Sequence, residues 1–441
     1  MSFKGKRILI AGLGISNVEV VRYLAGRGLG SLVITDLKPE GQLRERGDEV
    51  RKVFPAAEFV LGRHREEDFL NADLIIRNPS VPLDAPPIRK AVAAGVPVET
   101  DISLFFKLCP SPNIIGVTGT KGKTTTATFL ARMLEAQGFS VILAGNMGIP
   151  AFRELEKVRP DGWVVLELSS YMVESLVPHR VSPHIAVYTN IFPDHLDHYP
   201  TLAQYKNSKK ALFKYQRAND LVLLNRESPA LKEFVPEIKS RVVFYGADDV
   251  PEEVSLKLKG QHYRANLAAG FVLAGELGLD LVGVARTAEE FSGVEHRMED
   301  LGWVGEIRFV NNSAATNPGA FLADLKTVVG EGPPIFLLAG GSDKNLDFAP
   351  MAEVINQTPT IEGVVLFAGA GTKRLVQLIE PEKVWGVFDN LPQAFEQIVA
   401  RARRGGVVFL NPGCASFGVF EDEVDRGAQF KNQVEKLKCL L

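Results

Sequence analysis

The sequence predicts an α/β protein of three doubly wound domains. Short β-branched apolar runs alternate with helix-period segments along the chain. That alternation restarts three times, near Arg7, Ile114 and Ile307. At 441 residues the chain also exceeds what one hydrophobic core organises, and length alone suggests about three domains.

The elements follow in order. Arg7–Ala11 reads as a first strand, followed by the turn Gly12-Leu13-Gly14 and a helix near Asn17–Gly26. Ser31–Thr35 and Ala72–Ile76 are later strands of the same kind. The second series begins at Ile114–Val117, with a glycine loop and a helix running through Gln137. It continues with strands at Ser140–Leu143, Gly162–Leu166, His184–Val187 and Asp220–Leu224. The third has strands at Ile307–Val310, Ile335–Leu338, Gly363–Phe367 and Val407–Leu410. Strands alternating with helices predict parallel sheets. Cys109-Pro110-Ser111-Pro112 and the stretch Gly293 to Gly305 read as linkers. They give expected domains of 1–109, 110–296 and 297–441.

Composition narrows the function. A net charge of -3 argues against a general nucleic-acid binder, which is usually basic. No apolar run reaches the roughly 18–20 residues of a membrane span. The run Ile8–Leu13 enters a glycine turn and reads as a strand, not a signal-peptide core. Cys109, Cys414 and Cys439 are few, odd in number and far apart, as free thiols of a cytoplasmic protein would be.

The strongest chemical signal is Gly119-Thr120-Lys121-Gly122-Lys123-Thr124-Thr125, between a strand and a helix. Glycines let backbone amides turn toward bound oxygens, and the helix start adds partial positive charge. Lys123 adds a full charge, and the hydroxyl of Thr124 suits magnesium. The strict G-x-x-x-x-G-K-[ST] pattern fails, because Val117 stands at its first glycine. What remains is the shorter G-x-x-G-K-T, read as a holder of nucleotide triphosphate, ATP in the first instance. A glycine-rich turn with a chance lysine is the bland alternative. With this loop, the expected architecture is a Rossmann-like N-terminal domain, a P-loop ATPase-like central domain and a Rossmann-like C-terminal domain.

A weaker glycine signal, Gly12-Leu13-Gly14-Ile15-Ser16-Asn17, has Asn at the third glycine position. Asp36 ends the second strand, where an acidic residue could meet a ribose. Nicotinamide binding, another nucleotide, or a plain tight turn all fit it. Glu167 ends an apolar strand and would lie near the glycine loop, since ligands sit beyond the carboxyl ends of parallel strands. There it suits magnesium; a structural glutamate is the alternative. Asp194-His195-Leu196-Asp197-His198 concentrates two aspartates and two histidines. It favours metal or phosphate chemistry over a solvated loop.

Taken together these motifs resemble the Mur ligases, ATP-dependent amino-acid ligases of peptidoglycan synthesis, to which folylpolyglutamate synthetase is related. The resemblance rests on Gly119–Thr125, Glu167-Leu168-Ser169-Ser170, Asn190 with Asp194–Asp197, and Tyr205 with Lys209. It rests also on His262 with Asn266, His296-Arg297 and Ser313–Pro318. Gly340–Lys344 and Asn411–Phe417 complete it. It spans the chain and is closest to the members that add D-glutamate to UDP-N-acetylmuramoyl-L-alanine.

The resemblance implies a reaction and a set of roles. The ATP γ-phosphate activates the substrate carboxylate as an acyl phosphate, and an amino-acid amine displaces phosphate. Lys123 would stabilise the transferring charge. Thr124 and Glu167 would hold one magnesium, and His195 would help place a second. Lys209 matches a lysine that the family carbamylates; carbamylation would turn the ammonium into a carboxylate. Asn266, Arg297 and position 312, here Asn312, would face the adenine nucleotide. Ile15, Ser16 and Asp36 would hold uracil, with Asn146 and Ser169 further along the sugar nucleotide. Thr316, Lys344 and Ser416 would bind the incoming amino acid. The implied partners are small molecules alone, and a monomer is the default expectation.

The departures cluster. The family's Asp-Ser-Lys-Ala-Thr-Asn run reads Asn312-Ser313-Ala314-Ala315-Thr316-Asn317, so a cation is lost at Ala314. A Lys-Asn-aromatic run beyond Ser416 reads Glu421-Asp422-Glu423, reversing its charge. Met172, Tyr263 and Asn78-Pro79-Ser80 also differ from the family pattern. Phosphate and magnesium positions are intact and amino-acid positions partly changed. Altered amino-acid preference, a folate-type ligase and a non-catalytic nucleotide-binding descendant stand as the alternative readings.

Overall fold

A computed structural model describes residues 2–192, 199, 201–258, 260–343 and 346–440. The chain forms two compact units, Met1–Phe291 and Ser292–Leu441.

The first unit holds two parallel sheets. One contains β1 (Arg7–Ala11), β2 (Ser31–Asp36), β3 (Glu58–Leu61), β4 (Leu74–Arg77) and β5 (Val98–Thr100), in the order β3-β2-β1-β4-β5. The other contains β6 (Ile114–Thr118), β7 (Val141–Gly145), β8 (Trp163–Glu167), β9 (Ile185–Tyr188), β10 (Leu221–Asn225) and β11 (Arg241–Tyr245). Their order is β11-β10-β9-β6-β8-β7, all parallel. The central strands are buried on both faces, which is why they read as continuous apolar runs.

The order reverses at β6, which pairs with both β8 and β9. A parallel sheet opens a ligand crevice at such a point, beyond the strand C-termini. Register fixes what meets there: Val117 lies opposite Glu167, and Thr118 opposite Tyr188.

Four helices of this unit matter to the site: α1 (Ile15–Ala25), α2 (Asp101–Leu108), α3 (Lys123–Ala136) and α4 (Leu202–Lys214). A fifth, α5 (Gln261–Leu277), packs on α3. Phe129, Leu130, Met133 and Leu134 of α3 share a core with Ile115 and Val117 of β6. Gly270 of α5 lets the Phe129 ring approach; a Cβ there would lie 2.4 Å from it. Truncating a buried phenylalanine of this kind costs about 3–5 kcal/mol.

The second unit has one mixed sheet: β12 (Glu299–Val304), β13 (Ile307–Asn311), β14 (Ile335–Gly340), β15 (Ile361–Phe367), β16 (Val384–Phe388) and β17 (Val407–Leu410). The order is β12-β13-β17-β14-β15-β16, parallel except for β12, which is antiparallel to β13. This corrects the all-parallel expectation here. The second half of the presumed linker Gly293–Gly305 is this edge strand, which a hairpin turn joins to β13. Helices α6 (Pro318–Val329) and α7 (Glu423–Leu440) follow the loops after β13 and β17. No helix among the described residues is long and apolar enough to cross a membrane.

Candidate active site

The loop after β6 needs its glycines. Gly119 has φ +152°, and a Cβ there would lie 2.0 Å from the Thr189 hydroxyl. Gly122 has φ +80° and precedes the first turn of α3; its Cβ would lie 2.3 Å from Asn266 Oδ1. Both positions therefore exclude side chains on space as well as conformation.

The loop is held rigid from the β9 side. Asn190 accepts from the Thr120 N–H at 2.9 Å through its carbonyl and from the Lys121 N–H at 2.9 Å through its side chain. The Asn190 amide and the Thr189 hydroxyl both donate to the Lys121 carbonyl, at 3.0 and 2.6 Å. Thr120 Oγ1 lies 3.2 Å from the Tyr205 hydroxyl. Lys121 is exposed, Thr125 half-buried and Thr124 buried at the start of α3.

Two lysines converge on this loop. Lys123 Nζ donates to the carbonyls of Gly119 at 3.1 Å and Thr120 at 2.9 Å. Lys209 Nζ, from α4, donates to the same Gly119 carbonyl at 3.0 Å and to Thr118 Oγ1 at 3.4 Å. Lys209 is 1% exposed and lies 4.7 Å above the Tyr205 ring, one helical turn earlier. Two ammonium groups sharing one carbonyl make a positive focus at the strand ends, suited to an anion.

Glu167, on the neighbouring strand end, is 1% exposed. Its Oε1 accepts from the Asn146 amide at 3.1 Å; its Oε2 is buried with no hydrogen-bond partner. A buried acceptor left unmatched is costly unless something fills it. Magnesium fits here, as a hard cation that takes oxygen ligands. Asn146 follows Gly145, whose φ of +114° brings the chain against the Glu167 carbonyl. Asn266 is buried against Gly122, and its carbonyl accepts from Thr126 Oγ1 at 3.1 Å.

In the first sheet, the Asp36 carboxylate accepts from the Leu13 N–H at 2.8 Å and the Lys38 N–H at 2.9 Å. It thus ties the glycine turn to the end of β2. Ile15 stands 61% exposed beside that turn, an apolar surface available to a planar base. A cleft of about 270 Å³ joins the two halves of the unit, lined by Ser16, Asn78, Asp101, Asn146, Ser169 and Met172 among others. Ser169 also caps the short helix Ser170–Glu174.

In the second unit Asn312, Thr316 and Ser416 lie on loops at one end of the sheet, after β13 and β17. Asn312 is buried and satisfied at both ends of its amide. It donates to Asp324 and Asn411, each at 3.0 Å, and accepts from the Met298 N–H at 3.1 Å. Thr316 is half-buried and Arg297 exposed. Ser416 is buried, and its hydroxyl has no partner. Glu421-Asp422-Glu423 opens α7: Asp422 accepts from the N–H groups of Val424 at 2.9 Å and Asp425 at 2.8 Å. The acidic run sits where a helix start favours it.

His195 and Lys344 lie outside the described residues, as do Asp194, Asp197 and His198. Among the described residues no group of three or more His, Cys, Asp or Glu gathers in metal-binding fashion. Three contributors had no role in the sequence reading. Asn190 was part of a motif, yet its work as the loop's clamp is invisible in spacing. Asp101 falls in none of the motifs read from the sequence. Arg426 of α7 is fully buried, donating to Ser313 Oγ at 3.0 Å, Ser313 O at 2.8 Å and Cys414 O at 3.2 Å. Burial pushes its guanidinium down to about 10.

Family models match twice: a Mur ligase MurD-like N-terminal domain over residues 6–100 and a Mur ligase middle domain over 117–267. The UDP-N-acetylmuramoylalanine--D-glutamate ligase of Roseiflexus sp. (strain RS-1) is 37% identical, over 99% of each chain. The crystal structure of the UDP-N-acetylmuramate-alanine ligase MurC from Thermotoga maritima superposes with a TM-score of 0.58 at 20% identity, covering 98% of this chain and 99% of that one. The MurF ligase of Thermotoga maritima in complex with ADP gives 0.56 at 19% identity, covering 92% and 95%.

Proposed function

Because this chain belongs to the Mur ligase family, we propose that it joins D-glutamate to UDP-N-acetylmuramoyl-L-alanine, using ATP and forming an amide for peptidoglycan synthesis. The observation that carries this reading is Lys123 bonded to the Gly119 carbonyl, at the end of the strand that pairs with the one bearing the unmatched oxygen of Glu167.

The chemistry must bring a carboxylate to a triphosphate, two anions that repel. The loop N–H groups and the start of α3 hold the β- and γ-phosphates, and Lys123 takes up charge developing on the transferred group. The substrate carboxylate oxygen bonds to the γ-phosphorus as the bond to the ADP oxygen breaks. The resulting acyl phosphate is attacked by the amine of D-glutamate, and phosphate leaves from the tetrahedral centre. Magnesium, held by Thr124 and Glu167 with His195 and a carbamylated Lys209 placing a second ion, would neutralise charge shared between reactants. Asn146 orients Glu167 and lines the cleft that would take the sugar nucleotide, with Ser169 and Ser16. Ile15 and Asp36 would receive the uracil. Asn266 and Arg297 would face the adenine nucleotide, and Asn312 backs that role through the loop after β13. Thr316, Lys344 and Ser416 would receive D-glutamate. The unpaired thiols of Cys109, Cys414 and Cys439 agree with a reducing cytoplasm.

Ala314 and Glu421–Glu423 favour one second reading, the same ligation with a less acidic or a basic amine. Phosphate release with ATP, the sugar nucleotide and a panel of D- and L-amino acids decides. D-glutamate should give the fastest turnover. A different leading amine would establish the second reading, and no amine-dependent release would sink both.

A further inference from the structure

The cleft of the first unit contains a carboxyl group that neither the phosphate loop nor the turn at Asp36 employs. Asp101 is the first residue of α2, which follows β5 directly. It is 2% exposed, it lines the cleft, and its Oδ1 has no hydrogen-bond partner. The segment around it is firmly set. Thr100 and Ser103 form a reciprocal cap at the start of α2, and Thr100 Oγ1 donates to Ser175 Oγ at 3.1 Å, tying α2 to the central sheet's side. Asp101 is therefore fixed in place with one acceptor unmatched.

Its neighbours define what could match it. Arg77, also buried, spends its guanidinium on the carbonyls of Val81 at 2.7 Å and Pro79 at 3.4 Å. Ser16 supports the carboxyl from the α1 side. Asn146 and Ser169 line the same cleft, and Asn146 is bonded to Glu167. Asp101 thus shares one cleft with Ser16, which supports it, and with Asn146, which orients Glu167. A diphosphate offers only acceptors and would repel it. Hydroxyl and amide N–H groups of a sugar offer donors.

We infer that Asp101 is a binding residue for the sugar of the nucleotide substrate, accepting a hydrogen bond from a hydroxyl or amide N–H through Oδ1. The inference rests on the ligase reading above, and it predicts a split between ligands that share the nucleotide and differ in the sugar. In Asp101→Asn and Asp101→Ala, KM for UDP-N-acetylmuramoyl-L-alanine should rise about 10- to 100-fold, the range expected when a buried donor of the ligand loses its acceptor. The kcat, the KM for ATP and the inhibition constant of UDP alone should each stay within about twofold. A merely structural role would move all of these together. Equal weakening of UDP and of the full substrate, or an unchanged KM for the full substrate, would overturn the assignment. Sugar nucleotides with the donors alkylated, tested on the unmodified protein, need no variant to fold. They should lose affinity by a similar factor, and undiminished binding of every such analogue would likewise overturn it. Absence of ligase turnover in the unmodified protein would instead defeat the ligase reading, separately from these binding measurements.

Discussion

The phosphate loop of the first unit and the two loops after β13 and β17 of the second differ in how their positions are specified. Around Gly119–Thr125 the shape comes from backbone: glycines without room for a Cβ, carbonyls that receive Lys123 and Lys209, and Asn190 locking the Lys121 peptide from both sides. Around Asn312–Thr316 and Asn411–Ser416 the shape comes from side chains reaching across, chiefly Arg426, Asn312 and Asn411. A backbone-built site tolerates little change. A site strung between side chains can lose a cation at Ala314 and keep its frame, because Arg426 holds the loops from beneath. The departures at Asn312, Ala314 and Glu421–Glu423 fall where this architecture tolerates them.

The sharpest way to break the contrast is at Lys123. Lys123→Ala should reduce amine-dependent phosphate release by about 10³-fold or more, since the group lost acts on charge present only during transfer. The fold should survive, because the lysine contacts loop carbonyls rather than core. Turnover above a tenth of the original would mean the loop is not the transfer site.

Arg426 tests the other half. Arg426→Ala removes donors from two buried carbonyls and the Ser313 hydroxyl, and should destabilise by about 2–4 kcal/mol in urea denaturation. Thr316 and Ser416 lie on the loops that Arg426 braces, so KM for D-glutamate should rise more than KM for ATP, whose phosphate loop lies in the other compact unit. A loss under about 0.5 kcal/mol would show that the second unit's loops hold themselves.

Ala314→Lys should have a smaller effect. Restoring the cation that the family pattern places there should lower KM for D-glutamate by about three- to tenfold, as partly exposed charge pairs do. An increase would show that the loop has been refitted around the small side chain, and would favour the altered-amine reading.

What the sequence made legible follows the same division. Central strands announced themselves as apolar runs, and Val407–Leu410 matches to the residue. Glu58–Leu61, Val98–Thr100, Arg241–Tyr245, Glu299–Val304 and Val384–Phe388 did not, because each lies at a sheet edge, where exposure breaks the apolar pattern. Glu167 was legible because a carboxylate ending a buried strand has few structural reasons to be there. Arg426 was not, because a charged residue in a polar helix looks solvated until the fold buries it. Asp101 hid for a similar reason, since acidic residues are common at helix starts.

The smallest expected effect concerns acid stability of the second unit. His296, with φ +63°, is the only histidine in residues 292–441. It is buried against Gly427, and its Nδ1 lies 3.0 Å from the Asn311 amide, which donates to it when the ring is neutral. Burial holds the imidazole below its ordinary 6.5, with Glu299 and Glu295 opposing and Lys431 reinforcing. The folded state therefore binds protons less readily than the unfolded chain. Its stabilising contribution is complete above pH 6.5 and is lost as pH falls below that value. Between pH 7.5 and 5.5 the urea midpoint should fall further in the unmodified protein than in His296→Gln, whose amide does not titrate. Identical falls would place the acid sensitivity outside His296. The side-chain scaffold of this unit would then owe nothing to its one imidazole.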